Sequence, residues 1–295
     1  MKLSEKHIGL VCALGAFIIW GVLPIYFKML QHINPLEFLA ERIFWSFLLL
    51  SALLLFLRGN DEIKRVISDK KLLFALFVTG FLVGGNWLTY IIAISSNRIA
   101  EASLGYFINP LVSILLGIFF LKERASFLEK IAICIAGFAI LFEIIKLGQI
   151  PYISLTLAIT FGIYGLIRKK VRVSSFAGLF IETSLLLPIA LAYIIYLAVF
   201  SLPTISLSQD IVLIALSGPV TVVPLLLFTS AAARINLSTL GFIQYLAPSL
   251  TFSLAIFVYN EPIPSQRVIT FALIWLSLVL VIIDTIIRSK KRKNS

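Results

Sequence analysis

Residues 101–124 read EASLGYFINPLVSILLGIFFLKER, and this stretch decides the fold. Its length and apolar character suit a helix that crosses the hydrocarbon core of a bilayer, which takes roughly 20 residues. Four residues in its first half are costly in such a helix: Glu101, Tyr106, Asn109 and Pro110. A related stretch, LGFIQYLAPSLTFSLAIFVYNEP, occupies residues 240–262. The repetition predicts two copies of one membrane unit, each with polar residues in a spanning helix.

The composition of the chain is that of an integral membrane protein. Of its 295 residues, 60% are hydrophobic and 13% are charged, whereas a soluble domain has about 25% charged residues. The net charge of +11 does not indicate nucleic-acid binding, because the positive residues lie in short segments between apolar runs. Cys12 and Cys134 lie in separate apolar runs, so we expect neither a disulfide framework nor a metal site or cofactor. The first apolar run has no cleavage site and is predicted to be retained.

Ten apolar runs are each long enough to cross a bilayer as a helix. They cover residues 7–29, 36–57, 72–94, 99–121, 127–146, 150–168, 176–198, 209–232, 237–259 and 265–287. The most hydrophilic segment between them, residues 58–71, is predicted to be a plain cytoplasmic loop. The expected fold class is therefore an all-α integral membrane protein with ten transmembrane helices.

The distribution of positive residues predicts the orientation of these helices. With the N-terminus inside, 20 of the 25 Lys and Arg residues fall on the inner side, four on the outer side, and Arg42 within a span. Short inner loops are enriched in Lys and Arg. Both termini are therefore predicted to be cytoplasmic.

The second half of the chain repeats the first half. A shift of 138 residues places Pro110 on Pro248 and preserves the 13-residue spacing from each proline to a following glutamate. In the earlier helices the shift is 141 residues, which a difference in loop length explains. Two five-helix units are predicted, at residues 7–146 and 150–288. Because five is odd, the second unit enters the membrane from the opposite side, an architecture typical of transporters with a site between the halves.

Ionisable residues within spans are expensive and are functional candidates by default. The candidates for charge tuning or proton coupling are Glu41, Arg42, Glu101 and Glu182. Glu123 and Glu261 end the two repeated helices, on opposite sides of the membrane, and are candidate gates. For each side chain a structural role, either an ion pair that pins helices or a solvated helix end, remains the alternative.

Uncharged polar and aromatic residues recur at equivalent depths of equivalent helices, a pattern that suits an aromatic-lined polar cavity. The predicted substrate-binding residues are Trp20, Asn86, Trp87, Tyr90, Tyr106, Asn109, Gln244 and Tyr245. Pro110 and Pro248 each remove a backbone donor and are expected to loosen their helices. For any single member of the set, interhelical hydrogen bonding or a position at the membrane interface is the alternative.

The chain resembles the EamA-type carriers of the drug/metabolite transporter superfamily. The matching stretches lie at residues 13–30, 35–46, 86–124, 178–188 and 237–262. Among them EASLGYFINPL is the specific motif. The resemblance implies ten transmembrane helices, an inner-membrane location, and a central cavity lined by the first, third, fourth, sixth, eighth and ninth of them. It also implies export or exchange of small metabolites such as amino acids, with chloramphenicol-type drugs as a further class. Phe44 and Phe161 depart from the residues expected in many relatives.

Three classes of function compete with a carrier. An intramembrane enzyme acting on a lipid-like substrate is disfavoured, because His7 and His32 sit at span ends and no GxSxG motif or paired Asp motif is present. A scaffold without cargo needs neither a repeat nor a polar cavity, and a channel would show a filter sequence or a charge ring. No ATP-binding P-loop is present. The sequence therefore predicts a secondary carrier whose partners are a small-molecule substrate and the lipid bilayer, with no nucleic acid.

Overall fold

The computed structural model describes residues 4–57, 60–96, 98–148, 150–200, 205, 208–259 and 265–293. These residues fold almost entirely into helices. The helices are α1 (Glu5–Met29), α2 (Pro35–Leu57), α3 (Asn60–Ser68), α4 (Lys70–Ser95), α5 (Ile99–Leu121), α6 (Phe127–Leu147), α7 (Tyr152–Lys170), α8 (Ser175–Phe200), α9 (Ser208–Arg234), α10 (Leu237–Gln244), α11 (Leu246–Phe257) and α12 (Ser265–Lys293). The prediction of an all-α fold is confirmed.

Seven of the described helices are long and apolar enough to cross a membrane: α1, α2, α4, α5, α8, α9 and α12. The remaining three predicted runs are also helical, but each is too polar or too short to count as a spanning helix by these criteria. Helix α6 carries charged residues near both ends, and α7 ends in three consecutive cations. The ninth run is divided into α10 and α11 at Tyr245.

Proline accounts for the division of the ninth run. Pro248 has no N–H to donate to the carbonyl of Gln244, so the helical hydrogen-bond ladder is interrupted there, and α10 ends at Gln244. Nearby, α10 packs closely on α5. A Cβ atom at Gly241 would lie 2.8 Å from the Pro110 carbonyl oxygen and 2.7 Å from Ile114 Cγ1. Only glycine allows this approach of the two helices. Pro110 itself lies within α5, which continues through it.

The central helices pack mainly against helices of the other half of the chain. Helix α1 packs on α9 and α11, α2 on α8 and α9, α4 on α7 and α8, and α5 on α7 and α10. Helices α6 and α12 pack chiefly on each other. The resulting bundle has a central group of helices with the α6–α12 pair at its periphery.

Polar contacts define two ends of the bundle. At the end we call the Glu123 end, the start of α1 meets the end of α9 through the Glu5–Arg234 ion pair. At the same end, the residues just past α5 contact the start of α10. At the other, the Tyr26 end, the Tyr26 hydroxyl near the end of α1 donates to the Leu213 carbonyl near the start of α9. The predicted topology places the Glu123 end in the cytoplasm.

The predicted loop at residues 58–71 contains a short helix. Helix α3 carries apolar residues three apart, Ile63 and Val66, which are buried in a cluster with Leu76 of α4 and Ile181 of α8. An apolar stripe at this spacing is enough to dock a short amphipathic helix. The polar composition of the segment hid that stripe, so the prediction of a plain loop was wrong for Asn60–Ser68.

Candidate functional site

Arg42 lies two turns into α2 and points between α4 and α9. Its Nε donates to Thr221 Oγ1 at 3.1 Å, which ties it to α9. Its guanidinium carbon lies 5.0 Å from the ring centroid of Trp87 on α4, and 5.6 Å from that of Phe27 on α1. Phe38, one turn earlier on α2, lies at 5.7 Å. Distances of this size are typical of cation–π contacts. The cation is therefore held in an aromatic setting rather than by a carboxylate.

Tyr106 marks an opening inside the bundle. It is 47% exposed, although Ala102, Asn109 and Pro110, which share its face of α5, are buried, and Ser103 on the same face is half-buried. A lipid-facing residue would belong to an exposed stripe at spacings of three and four, so Tyr106 faces an internal opening. The ring of Tyr90 on α4 packs edge to face against Tyr106, with centroids 5.9 Å apart. Two predicted residues on different helices therefore meet here.

The Arg42 group and the tyrosine pair belong to one region. The guanidinium lies near the phenol groups of Tyr26, Tyr90 and Tyr106. By position in their helices, these residues lie within about 11 Å of the Tyr26 end. We call this region, composed of Arg42, Trp87, Tyr90 and Tyr106, the Arg42 cavity.

Two other predicted substrate residues have protein partners close to the Arg42 cavity. The Asn86 amide donates to the Leu157 carbonyl at 2.8 Å and to Thr160 Oγ1 at 2.9 Å, which joins α4 to α7. Trp20 packs against Phe161 and Phe228, with ring centroids 5.6 Å and 5.7 Å away. Both side chains support the helices around the cavity in this structure.

The predicted residues of the two repeated helices lie in different surroundings. Asn109 is only 6% exposed, and its Oδ1 has no hydrogen-bond partner in the described structure. The Gln244 Oε1 accepts a hydrogen bond of 3.5 Å from Ser113 Oγ. Tyr245 is fully buried and packs in a cluster with Phe107 of α5 and Phe271 of α12, away from Arg42. The Asn109 amide oxygen and the Tyr245 hydroxyl therefore both lack a hydrogen-bond partner among the described residues.

Glu182 belongs to a buried network near the Glu123 end. Its carboxylate lies 3.7 Å from Arg168 Nε, and both side chains are 1% exposed. Thr79 Oγ1 donates to Glu182 Oε1 at 2.6 Å, and Tyr164 donates to Oε2 at 3.4 Å. A Cβ atom at Gly178 would overlap the Arg168 guanidinium, so glycine is needed there. The network joins α4, α7 and α8.

Glu41 and Glu101 interact with residues that are not part of the Arg42 cavity. Glu41 lies beside Arg42 on α2, but its carboxylate interacts with Trp45, one turn further along the helix. Glu101 pairs with Arg98 at the start of α5. The Arg98 guanidinium also lies 4.1 Å from the ring centroid of Tyr152 on α7. Glu101 thus contributes to fastening the start of α5 near α7.

Glu123 fastens α5 to α10. Its carboxylate accepts hydrogen bonds of 2.8 Å from the backbone N–H groups of Leu237 and Ser238, and one of 2.6 Å from Ser238 Oγ. The first N–H groups of a helix lack internal partners, so this carboxylate caps α10 from another helix. Lys169 donates beside it to the carbonyl oxygens of Ala232 and Ile235 at the end of α9. We call these contacts the Glu123 latch. Glu261, its predicted counterpart, lies outside the described residues.

Sequence reasoning missed the partners that only tertiary packing supplies. Thr221, Tyr26 and Phe27 come from α9 and α1, and nothing in their sequence context connects them with Arg42. Phe38 precedes Arg42 by four residues, and this helical spacing is a usable signal. Arg168 was assigned to the inner positive residues, whereas the structure buries it against Glu182.

Two further features of the structure carry no predicted residue. Depressions of about 450 Å³ and 420 Å³ are lined mainly by aliphatic and aromatic side chains of α6 and its neighbours. Within the described ranges, no group of three or more His, Cys, Asp or Glu side chains is placed to hold a metal ion.

A family model described as "EamA-like transporter family" matches residues 7–144. An uncharacterized transporter of Vibrio cholerae is 44% identical over 94% of this chain and 92% of its own length. The chain belongs to the EamA-like transporter family. Within that family it is similar to Protein RarD of Salmonella typhimurium, with 41% identity over 99% of this chain and 100% of that protein.

A solved structure has the same overall fold at low sequence identity. One crystal structure superimposes with a TM-score of 0.72 over 93% of this chain and 97% of its own, at 16% identity. At that identity the likeness concerns the fold alone. Together, the apolar helices and the EamA relatives establish a multi-pass membrane transporter.

Proposed function

We propose that the protein is a secondary carrier that exports or exchanges small organic metabolites by alternating access through the Arg42 cavity. The observation that carries this proposal is the exposure of Tyr106 on a mostly buried stretch of α5. An opening inside a membrane bundle, lined by aromatic rings and a cation, is a place where a solute can bind out of contact with lipid. Amino acids and chloramphenicol-type drugs are the first classes to test.

The pairing of the helices supports two inverted five-helix repeats. Counting α10 and α11 as one span gives five long helices before residue 150 and five after it. Under the repeat, α1 corresponds to α7, α2 to α8, α4 to α9, α5 to α10 and α11 together, and α6 to α12. When each helix is replaced by its counterpart, the α1–α9 contact becomes the α7–α4 contact, and the α1–α11 contact becomes the α7–α5 contact. The α2–α8 and α6–α12 contacts are unchanged by the replacement. Each of these contacts is present. Such a two-fold pattern is expected of ten spans arranged as residues 7–146 and 150–288.

The directions of the first helix of each half support the inversion. Helix α1 begins at the Glu123 end, where Glu5 pairs with Arg234. Helix α7 ends there, where Lys169 binds the end of α9. These opposite directions of α1 and α7 are what an inverted second half predicts. We assign the Glu123 end, with both termini, to the cytoplasm of a bacterial inner membrane, in accordance with the positive residues.

Polar contacts at both ends of the bundle fit the alternation that a carrier needs. The Glu123 latch joins α5 to α10 and α7 to α9. At the other end, Tyr26 binds Leu213, and His32 lies 3.0 Å from Asp210. Contacts of this kind can break at one end while those of the other persist. Energy would come from an ion gradient or from the solute's own gradient, without a bound cofactor.

Labelling with a membrane-impermeant maleimide tests whether the opening is aqueous. In a background with Cys12→Ala and Cys134→Ala, Tyr106→Cys is expected to react although it lies within a membrane helix. Phe107→Cys is the matched buried control, since Phe107 is 6% exposed, and Phe138→Cys on peripheral α6 is the lipid-facing control. Neither control should react. Equal labelling at 106 and 138, or none at 106, would contradict an aqueous cavity.

A further inference from the structure

Arg42 has no carboxylate partner among the described residues. None of the ion pairs found between described side chains includes it, so no carboxylate oxygen of these side chains lies within 4.0 Å of its nitrogens. Its one hydrogen bond uses Nε, with Thr221 as acceptor. Adjacent Glu41 is turned away by about 100° of helix rotation. An ionised group within a membrane span is costly unless something compensates its charge, so a missing anion requires an explanation.

The unpaired hydrogen-bond donors of the cavity also indicate that an anionic group is missing. A guanidinium has five N–H donors, and the two terminal nitrogens of Arg42 have no hydrogen-bond partner in the part of the chain that the structure describes. The hydroxyls of Tyr90 and Tyr106 also make no hydrogen bond to described residues, although their rings pack together. Among the described residues of this region, hydrogen-bond donors without a partner therefore outnumber acceptors. A bound solute with anionic oxygens would supply acceptors.

The geometry points to a carboxylate. Arg binds carboxylates through two parallel hydrogen bonds from its planar fork, and both terminal nitrogens of Arg42 are available for this. Trp87 and Phe27 flank the guanidinium, and aromatic rings offer packing surface to an apolar or planar body. We propose that the Arg42 cavity binds solutes that join a carboxylate to a small apolar or aromatic body. This inference rests on the proposed carrier function and names its substrate class.

A purely structural role for Arg42 makes a different prediction. If the side chain only ties α2 to α9 through Thr221, its loss lowers stability and weakens all ligands alike. If it binds a carboxylate, its loss discriminates between ligands that share a body and differ in charge. Phenylacetate, phenylacetamide and phenethylamine form such a series, with negative, neutral and positive head groups on one ring. The comparison within the unaltered protein needs no variant and so does not depend on the folding of one.

Binding of the three probes to the purified full-length protein tests the proposal. Displacement of radiolabelled phenylacetate and quenching of tryptophan fluorescence, to which Trp87 contributes, both report on the site. The unaltered protein is expected to bind phenylacetate at least tenfold more tightly than the amide or the amine. Arg42→Gln should lose that tenfold preference while retaining weak, equal binding of phenylacetate and phenylacetamide, and Arg42→Lys should retain part of it.

Arg65→Gln is the matched control, because it removes an exposed arginine of α3 that pairs with Glu62. Its phenylacetate affinity should equal that of the unaltered protein. The proposal is overturned if folded protein binds no phenylacetate, if the amide binds as well as the acid, or if Arg42→Gln keeps the preference.

Counterflow with the same probes separates this inference from the carrier function. Exchange of neutral or cationic solutes without exchange of carboxylates would leave a carrier and overturn the carboxylate site. Arg42-dependent binding of phenylacetate without exchange would leave the site and overturn the carrier function.

Discussion

At the scale of single residues, the bundle holds two arginines in opposite ways: Arg168 is buried and Arg42 is half-buried. Arg168 is neutralised by Glu182 at 3.7 Å and packed out of contact with solvent. Arg42 has aromatic rings and a hydroxyl around it, and faces an opening. A buried ion pair offsets the desolvation of both charges only while both partners are present. The first arginine therefore belongs to the scaffold, and the second belongs to the proposed site.

Removal of one partner from the buried pair is expected to destabilise the fold strongly. Arg168→Met leaves the Glu182 carboxylate buried without a cation, and such a change costs about 3–5 kcal/mol. Thermal unfolding of the detergent-purified protein measures the effect. Glu5→Gln is the control: it breaks the Glu5–Arg234 pair, in which Glu5 is 76% exposed, and exposed pairs contribute less than about 1 kcal/mol.

The double variant Arg168→Met with Glu182→Leu should recover most of the lost stability, because neither charge then remains buried alone. Equal melting temperatures for Arg168→Met and Glu5→Gln would contradict a structural role for the buried pair.

The residue scale also shows where sequence reasoning stops. Arg42, Trp87, Tyr90 and Tyr106 were recognisable because charge and aromatic hydroxyls are conspicuous in apolar helices, and the structure brings them together. The partners of Asn86 were not recognisable from the sequence. One of them is the backbone carbonyl of Leu157, and because every residue has a backbone carbonyl, nothing in the sequence singles this one out. Hydrogen-bond partners of this kind follow from helix packing, which composition and spacing do not specify.

At the scale of helices, the apolar runs predicted nearly every helix boundary to within a few residues. The division of the ninth run at Tyr245 is caused by Pro248, which is visible in the sequence. The exact position of the division depends on the carbonyl that loses its hydrogen-bond donor, which is that of Gln244. Helix α3 was missed because only Ile63 and Val66 show its buried face. The Glu123 latch was predicted as a gate at a helix end, while its partner, the start of α10, depends on the packing of α5 against α10.

Loss of the latch is expected to loosen the start of α10. Glu123→Ala removes the acceptor of two backbone N–H groups, and loss of a helix cap costs about 0.5–2 kcal/mol. Amide hydrogen exchange should accelerate about two- to thirtyfold over residues 237–244 on that basis.

Glu129→Ala serves as the control for this effect. Glu129 forms a capping box with Ser126 at the start of α6, so its loss should affect α6 and leave α10 protected. Unchanged protection of α10 in Glu123→Ala would show that the carboxylate does not hold the two helices together.

At the scale of the whole molecule, the proposed carrier has two five-helix halves on either side of the Arg42 cavity, and polar contacts join helices at both ends. Because helices of one half pack mainly on helices of the other, a small rotation between halves changes both ends together. This coupling is what alternating access requires. Asn109, buried beside the opening on α5 with an unpaired amide oxygen, lies where such a motion would present it to a solute.

Counterflow in proteoliposomes tests the carrier function most directly. Vesicles are loaded with amino acids, aromatic carboxylates, nucleobases or chloramphenicol, and entry of a labelled member of each class is followed. We predict entry that requires both the protein and internal solute. In Asn109→Leu we predict a folded protein without exchange, because the leucine removes the polar group and retains the bulk. Absence of exchange for every class by the folded protein would contradict the account, and normal exchange by Asn109→Leu would remove that residue from the site.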